Sequence, residues 1–224
     1  MRHKTLLDLV KMNVMSNEIK EELVKSVKDG HNILVSGGTQ AGKTTLLNAL
    51  LNEISPSQRV VTIEEVFELQ PRVPDSIQMQ TRSANLQGDG AISLRKLIKE
   101  VLRMRPARLV VGEVREAEAL DLLIALNSGL PGMGTLHANS TKDAISKLQM
   151  LPLLAGENIS YEFIAPVVAA AIDIVIQVSI NEDGFRRITE VAHITGRCER
   201  NLAEIEMLWH WNGAEYVRGI GRVA

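Results

Sequence analysis

The sequence predicts an α/β fold in which a mostly parallel sheet is flanked by helices and followed by an antiparallel C-terminal appendage. Short, almost continuously apolar runs alternate with segments of helical periodicity, which is typical of parallel strands covered on both faces. One of these runs leads directly into a glycine-rich loop that opens a helix. Near the end of the chain the alternation stops, and the Asn212-Gly213 pair between two strand-like runs predicts a type I′ hairpin.

The composition is that of an ordinary globular protein and excludes several classes of function. The 224 residues carry 25 Lys and Arg against 27 Asp and Glu, and the net charge of -2 argues against a globally basic nucleic-acid-binding protein. Aromatic residues make up only 3%, which leaves little for a base-stacking platform. The single cysteine, Cys198, excludes an intrachain disulfide and a multi-cysteine metal cluster. No run approaches the ~18 apolar residues of a membrane span, and we expect a cytoplasmic protein.

The elements follow one another in the order that a parallel α/β sheet requires. Helical periodicity predicts a second helix that begins at Ser16 or Asn17 and ends before Gly30. Two later helices end ahead of Pro56 and Pro106, since proline cannot continue a helix. The predicted helices span 5–15, 17–28, 46–54, 92–104, 117–127, 141–151 and 161–171, and the predicted strands lie within 31–38, 59–63, 76–82, 108–114 and 173–180.

Two local patterns complete the element assignment. Gly129, Gly132 and Gly134 predict a turn, followed by a short strand or loop at 135–138. Trp209 and Trp211 share one face of a strand-like run, and sheet alternation predicts that both pack on the core.

A phosphate-binding loop is the strongest functional signal. Residues 37–44 read GGTQAGKT and match the pattern G-x-x-x-x-G-K-[ST] between a predicted strand and a predicted helix. The alternative is a glycine turn that precedes Lys-Thr by chance. Two glycines of the motif are expected to allow backbone angles that turn N–H groups inward, while the lysine faces the β- and γ-phosphates of ATP and the threonine hydroxyl binds Mg²⁺. The predicted nucleotide-binding residues are Gly37, Gly38, Thr39, Gln40, Ala41, Gly42, Lys43, Thr44 and Thr45. Gly37 and Gly42 are the two glycines expected to allow these backbone angles.

Acidic residues end two of the predicted strands, where a nucleotide-hydrolysing site needs a metal-shell carboxylate and a group that polarises water. Glu113 follows an apolar run and is the candidate for the metal shell. Glu64 and Glu65 follow the strand at 59–63 and suit water polarisation or contacts to metal-bound water. The alternative interpretations are an ordinary strand-end carboxylate and a solvated turn.

Further candidates are a histidine and a run of basic residues. His137 follows glycines at a predicted strand end, where it could sense the γ-phosphate or simply be a structural histidine bonded to backbone. The basic residues between 92 and 115 indicate either a solvated helix face or arginines at an ATP site or subunit seam. They are Arg95, Lys96, Lys99, Arg103, Arg105, Arg108 and Arg115.

Four segments together resemble the ATPases of type II and type IV secretion systems, which also power type IV pili and conjugation. They correspond to the Walker A loop, the Asp box, the atypical Walker B motif and the His box of that family. The motifs lie in NILVSGGTQAGKTTLLNAL, VVTIEEVFEL and LRMRPARLVVGEVREAEALDLLIALNSGLPGMGTLHANS, and a fourth similar segment is AAAIDIVIQV. Within the family, the LRMRP and TLHAN segments are similar to the tight-adherence pilus ATPases.

The resemblance implies a RecA-like ATPase domain that works as a homo-hexamer beneath an inner-membrane platform protein of a pilus or secretion system. It implies that Lys43 and Thr44 bind phosphate and Mg²⁺, that Glu64 polarises water and that Glu113 holds the metal shell. It further implies that His137 couples the γ-phosphate to motion. Arg82 and Arg115 lie in arginine-bearing segments and are candidate phosphate or intersubunit arginines, and Glu65 stands where the family often has aspartate.

The domain organisation expected from the resemblance is a helical lead-in at 1–30 followed by the ATPase domain at 31–224, without the family's usual N-terminal domain. The expected function is ATP hydrolysis by a cytoplasmic motor, peripheral at the inner face of the membrane, that drives tight-adherence pilus assembly or type II/IV secretion. The alternatives are a conjugative DNA-transfer ATPase or nucleic-acid translocase of the same fold, and a non-hydrolysing nucleotide-gated scaffold. Binding of nucleic acid is not expected of the primary candidate.

Overall fold

Strands of the computed structural model, which describes residues 4–156, 159–181, 184–219 and 222–223, join in one mixed sheet. The strands are β1 (Ile33–Gly37), β2 (Val60–Glu64), β3 (Ser76–Gln80), β4 (Arg108–Val114), β5 (Gly132–Leu136), β6 (Ile174–Ile180), β7 (Arg186–Glu199), β8 (Leu202–Trp211), β9 (Tyr216–Arg218) and β10 (Arg222–Val223). Their order is β10-β8-β7-β6-β1-β5-β4-β2-β3, with β9 paired to β8 off this path. The pairs from β6 to β3 are parallel, and those from β6 to β10 are antiparallel. The predicted fold class is thereby confirmed.

Helices cover this sheet, and most begin at a serine or threonine cap. They are α1 (Leu6–Lys11), α2 (Asn17–Asp29), α3 (Lys43–Leu51), α4 (Leu94–Val101), α5 (Glu118–Asn127), α6 (Thr141–Met150) and α7 (Tyr161–Ala171), with a 3₁₀ helix at Leu151–Ala155. The side chains of Ser16, Ser93, Ser140 and Ser160 each accept a hydrogen bond from the N–H three residues on, which satisfies an otherwise unpaired donor. Among the described residues, no helix is long and apolar enough to cross a membrane.

Two apolar cores lie on opposite faces of the sheet. Helices α4 to α7 pack on one face against residues such as Leu109 and Val111, and α1 to α3 pack on the other face against residues such as Val110. Successive side chains of a strand point to opposite faces, so the near-continuous apolar run of β4 is buried on both sides. The segment before β1 is part of this packing, because Leu6, Leu9 and Leu23 are fully buried in the second core.

Two local predictions about glycine are wrong. Gly132 and Gly134 lie inside β5 and not in a turn, and only Gly129 of the three has a positive φ. Close packing explains the strand glycine, since a Cβ at Gly132 would lie 2.6 Å from Leu126 Cδ2. The hairpin at Asn212-Gly213 does join antiparallel strands, but Asn212 does not adopt the positive φ that a type I′ turn requires. Its Oδ1 instead accepts hydrogen bonds from the N–H groups of residues 214 and 215 within a four-residue loop.

The two tryptophans lie on the same face but differ in their surroundings. Trp209 packs against the second core, as predicted, and its Nε1–H donates to Glu22 Oε2 at 2.5 Å. Trp211 instead packs edge-on against Tyr216, and the Arg187 guanidinium lies 3.7 Å from the Trp211 ring centroid. Trp209 thereby ties the antiparallel appendage to α2.

Candidate functional site

Parallel pairing gathers the predicted site residues at one edge of the sheet. The phosphate loop leaves β1, which lies between β5 and β6. Glu64 ends β2, Glu113 lies near the end of β4, and His137 follows β5. Because these strands run in the same direction, their carboxyl ends meet at one edge, the usual location of ligand sites in open α/β sheets.

The lysine of the phosphate loop hydrogen-bonds to backbone carbonyls of the same loop. Lys43 Nζ donates hydrogen bonds to the carbonyls of Gly37 at 3.1 Å and Gly38 at 3.0 Å. Burial lowers the pKa of the Lys43 amine, while the nearby charge of Glu113 opposes that shift. A half-buried ammonium whose hydrogen bonds, among the described residues, go to backbone carbonyls is well placed to exchange them for an anion.

The two motif glycines have different reasons to be glycine. Gly42 caps α3 with φ at 102°, a left-handed conformation that favours glycine, as predicted. For Gly37 the predicted reason is wrong, because its φ is not positive. Glycine is required there because a larger side chain has no room. A Cβ there would lie 2.4 Å from the carbonyl oxygen of Val178 on β6.

Glu64 is a buried carboxylate with one satisfied and one unsatisfied oxygen. The residue is 3% exposed, and its Oε1 accepts hydrogen bonds from the N–H groups of Glu68 and Leu69, both at 2.9 Å. Its Oε2 is buried and has no hydrogen-bond partner among the described residues. Burial raises the pKa of Glu64 against the lowering effect of the two N–H groups. An unpaired buried oxygen of this kind is free to accept a proton or a hydrogen bond from a ligand or water.

Glu113 is held by an arginine at the same edge. Arg115 Nε donates to Glu113 Oε2 at 2.9 Å, Arg115 Nη2 contacts the same oxygen, and Arg115 Nη1 donates to Glu65 Oε2 at 3.1 Å. The Glu113 carboxylate raises the pKa of Arg115, which keeps the guanidinium charged. Glu118 accepts hydrogen bonds from the backbone N–H groups of Arg115 and Glu116 and so fixes the turn that presents this arginine.

His137 and Arg82 lie outside the hydrogen-bonded part of the site. The His137 side chain is exposed, and its backbone carbonyl accepts a hydrogen bond from Lys147 Nζ at 3.1 Å. Arg82 pairs with Ile92 in an isolated bridge, and its Nε donates to the Gly90 carbonyl at 2.7 Å. The arginine thereby closes the loop that contains it.

Most of the basic residues between 92 and 115 have structural partners. Arg95 and Lys99 both form ion pairs with Asp121 on α5, and Arg103 pairs with Glu100. Arg108 is buried, and its guanidinium donates to the Val27 carbonyl and to Gln58. Of the residues named, Arg115 is the one that the contacts place beside Glu113.

The donor set fits a magnesium ion held with a nucleotide. Thr44 offers a hydroxyl at the first turn of α3, and Glu113 offers a carboxylate, both of which are ligands that Mg²⁺ prefers. Within the described ranges no group of three or more His, Cys, Asp or Glu side chains could hold a metal by itself. At nucleotide sites Mg²⁺ is usually bound by phosphate and water together with one or two protein ligands.

Several residues that support the site were not predicted. Gly112 gives Glu64 its room, because a Cβ at Gly112 would lie 2.9 Å from Glu64 Cγ. Thr135 Oγ1 donates to the Gly112 carbonyl at 2.7 Å. Ser36 donates to Gln177 at 2.5 Å, and Gln177 donates to the Ala138 carbonyl, which joins β1, β6 and the segment after β5. Gly112, Thr135, Ser36 and Gln177 are polar or glycine residues inside buried, mainly apolar strands, and this was the signal that the sequence offered.

The sequence profile of the family described as "Type II/IV secretion system protein" matches residues 2–201. The chain belongs to this family. The match includes all four motifs of the sequence analysis, and the RecA-like fold with its phosphate loop agrees with it.

Relatives and solved structures give the same result. A Mycobacterium tuberculosis protein named for conjugal transfer is 41% identical over 178 residues, which cover 79% of this chain and 49% of that protein. The conjugal transfer protein TrbB of Rhizobium radiobacter is 34% identical, over 84% of this chain and 56% of that protein. The crystal structure of the VirB11 ATPase from the Brucella suis type IV secretion system, in complex with sulphate, has a TM-score of 0.71 at 30% identity and covers 84% of this chain and 54% of that one. The chain therefore spans about half the length of the curated relatives it matches.

Proposed function

We propose that the chain is the ATPase domain of a type IV secretion motor and that it hydrolyses ATP bound at the phosphate loop. One observation carries this proposal. The loop lysine, the buried carboxylate of Glu64 and the arginine-held carboxylate of Glu113 meet at one edge of the sheet. Family membership and the VirB11-like fold support it.

Binding of ATP would begin with an exchange at Lys43. Its ammonium would leave the carbonyls of Gly37 and Gly38 for the β- and γ-phosphate oxygens. The loop N–H groups and the amino end of α3 add partial positive charge where the phosphates bind. Thr45, in the first turn of that helix, would contact the α-phosphate.

Hydrolysis would depend on Glu64 as the group that polarises the attacking water. Its Oε1 is occupied by two backbone N–H groups, so the carboxylate is oriented, while Oε2 is free to accept the water proton. Thr44 and Glu113 would hold the magnesium shell, and the ion would neutralise charge on the phosphate oxygens when bound. His137, which follows β5, would couple binding of the γ-phosphate to movement of that strand.

The arginines suggest where a neighbouring subunit would act. Arg115 is 57% exposed on the outer side of Glu113, so it can reach a phosphate or a second copy of the chain. We propose a homo-hexamer in the cytoplasm, attached to the inner membrane through a platform protein. In this assembly residues 1–30 would form the lead-in and 31–224 the ATPase domain, and Arg82 is a second candidate for the intersubunit role. Tight-adherence pilus assembly is the finer function that we propose from the motif resemblance.

A conjugative role in moving DNA is the second candidate function. It is favoured by the relatives named for conjugal transfer in Mycobacterium tuberculosis and Rhizobium radiobacter. The net charge of -2 argues against direct strand binding. Turnover that increases with added DNA, with an affinity that falls steeply with salt, would favour this candidate over a protein-transport motor.

ATP binding and turnover, measured across protein concentrations, test the primary proposal. We expect Lys43→Ala to lose binding, and Glu64→Gln and Glu113→Gln to retain binding while turnover falls by about 100-fold or more. Turnover per subunit should rise as rings assemble. Binding without turnover in the wild type would identify a nucleotide-gated scaffold, and unchanged turnover in both glutamine variants would contradict the assigned roles.

A further inference from the structure

The β6–β7 hairpin brings one arginine to the outer side of the phosphate loop. Val178 on β6 pairs with Gly37, and Arg186 opens β7 opposite Ile180. From this position Arg186 Nε donates a hydrogen bond of 3.0 Å to the carbonyl of Gln40 in the loop. The same side chain lies against the loop glycine, since a Cβ at Gly42 would be 3.4 Å from Arg186 Cδ.

The peptide that Arg186 contacts is held in an unfavourable conformation. Gln40 has φ at 60°, in the left-handed region, which is unfavourable for a non-glycine residue because its Cβ comes too close to the following carbonyl oxygen. Because the peptide is trans, the carbonyl of Gln40 and the N–H of Ala41 point in opposite directions. The carbonyl points outward to Arg186, and the Ala41 N–H points back across the loop to the Gly38 carbonyl, at a long 3.3 Å.

We propose that Arg186 is a positioning residue for nucleotide binding, which holds the Gln40–Ala41 peptide so that the Ala41 N–H faces the phosphate. The inference rests on the proposed function, because it needs ATP at this loop. Lys43 fixes the inner side of the loop through two carbonyls, and Arg186 fixes the outer side through a third. The phosphate-binding conformation is then present before the ligand arrives, which lowers the ordering cost of binding.

The adjacent arginine supplies a matched control. Arg187 follows Arg186 in the same strand. Its guanidinium lies over the Trp211 ring and away from the loop. Replacing either arginine removes one positive charge from the same hairpin, but only Arg186 contacts Gln40.

The decisive measurement is the ATP dissociation constant of Arg186→Met, Arg186→Lys and Arg187→Met by calorimetry. Methionine retains an apolar stem over Gly42 and removes the donor, so we expect Arg186→Met to weaken binding about ten-fold, in the range for one charge-assisted hydrogen bond. Arg187→Met should stay within about two-fold of the wild type, and Arg186→Lys should recover part of the loss because it restores a cationic donor. Hydrogen exchange of residues 38–42 should accelerate in Arg186→Met, with the melting temperature unchanged.

Each outcome decides the inference. An equal loss of ATP affinity in Arg186→Met and Arg187→Met would mean that only the positive charge of the hairpin matters. Unchanged ATP affinity in Arg186→Met would mean that the contact with Gln40 contributes nothing to binding. Either result overturns the role of Arg186 while leaving the proposed function intact, provided that the wild type binds ATP and Lys43→Ala does not. A wild type that binds no ATP would overturn both.

Discussion

Glu64 lies at the end of β2 and Glu113 near the end of the adjacent parallel strand β4, yet their surroundings are opposite. Glu64 is 3% exposed and has one oxygen without a partner, whereas the Glu113 side chain is 26% exposed and is paired with Arg115. The shared sheet edge brings the two carboxylates together, but the neighbouring residues decide how each is held, and burial raises the pKa of Glu64. For Glu64 the deciding neighbour is Gly112, which has no side chain to occupy the space that the glutamate fills.

The largest effect is expected when that space is removed. Gly112→Ala would place a Cβ 2.9 Å from Glu64 Cγ and displace the carboxylate, and misplacement of a catalytic group by ~1 Å costs about 100-fold in turnover. Gly134→Ala on the next strand is the matched control, because its nearest neighbour would be at an ordinary 3.4 Å. Turnover and circular dichroism of both variants would check this. A folded Gly112→Ala protein with wild-type turnover would show that the position of Glu64 is unimportant.

The next effect is a pH dependence of stability that belongs to Glu64. Its folded pKa is raised above the ordinary 4.5, so its stabilising contribution is present below that value and is lost as pH rises through the folded pKa. Glu64→Gln should remove this dependence, with a difference in slope of up to about 1.4 kcal/mol per pH unit in that window. Urea unfolding from about pH 4 to about pH 8 measures it. Glu21→Gln, at an exposed position on α2, is the control, and equal slopes in Glu64→Gln and the wild type would contradict a desolvated carboxylate.

The smallest effect concerns the other strand end. Arg115 is 57% exposed, so its pairs with Glu113 and Glu65 are screened by water. Arg115→Ala should therefore change the free energy of unfolding by less than about 1 kcal/mol. Arg103→Ala, an 82% exposed arginine paired with Glu100, is a suitable comparison. A loss of stability of more than about 2 kcal/mol in Arg115→Ala would mean that the Arg115–Glu113 ion pair is shielded from water like a buried pair.

The sequence predicted those features that local pattern or a contiguous motif encodes. A cap at Ser16 or Asn17 marked the start of α2, apolar runs marked the buried strands, and the loop motif identified Lys43 at a strand-to-helix turn. The order of four motifs was sufficient to indicate the family, which the profile match then established.

The remaining features depend on contacts between distant parts of the chain. Gly132 resembles a turn residue in sequence, but Leu126 and Leu109 require the absence of a Cβ there. Arg186 lies 146 residues from Gln40, and no local spacing connects them. The type I′ prediction failed because the Asn212 side chain, and not its backbone angle, completes the loop.

The unsatisfied oxygen of Glu64 has a consequence for engineering this protein. A buried charge of this kind makes the folded state less stable than a neutral side chain of the same shape would. Selection for heat resistance alone would therefore tend to replace the residue that we assign to hydrolysis, as is common where stability and activity conflict. A thermostable library of this chain would need to be screened for turnover at the same time.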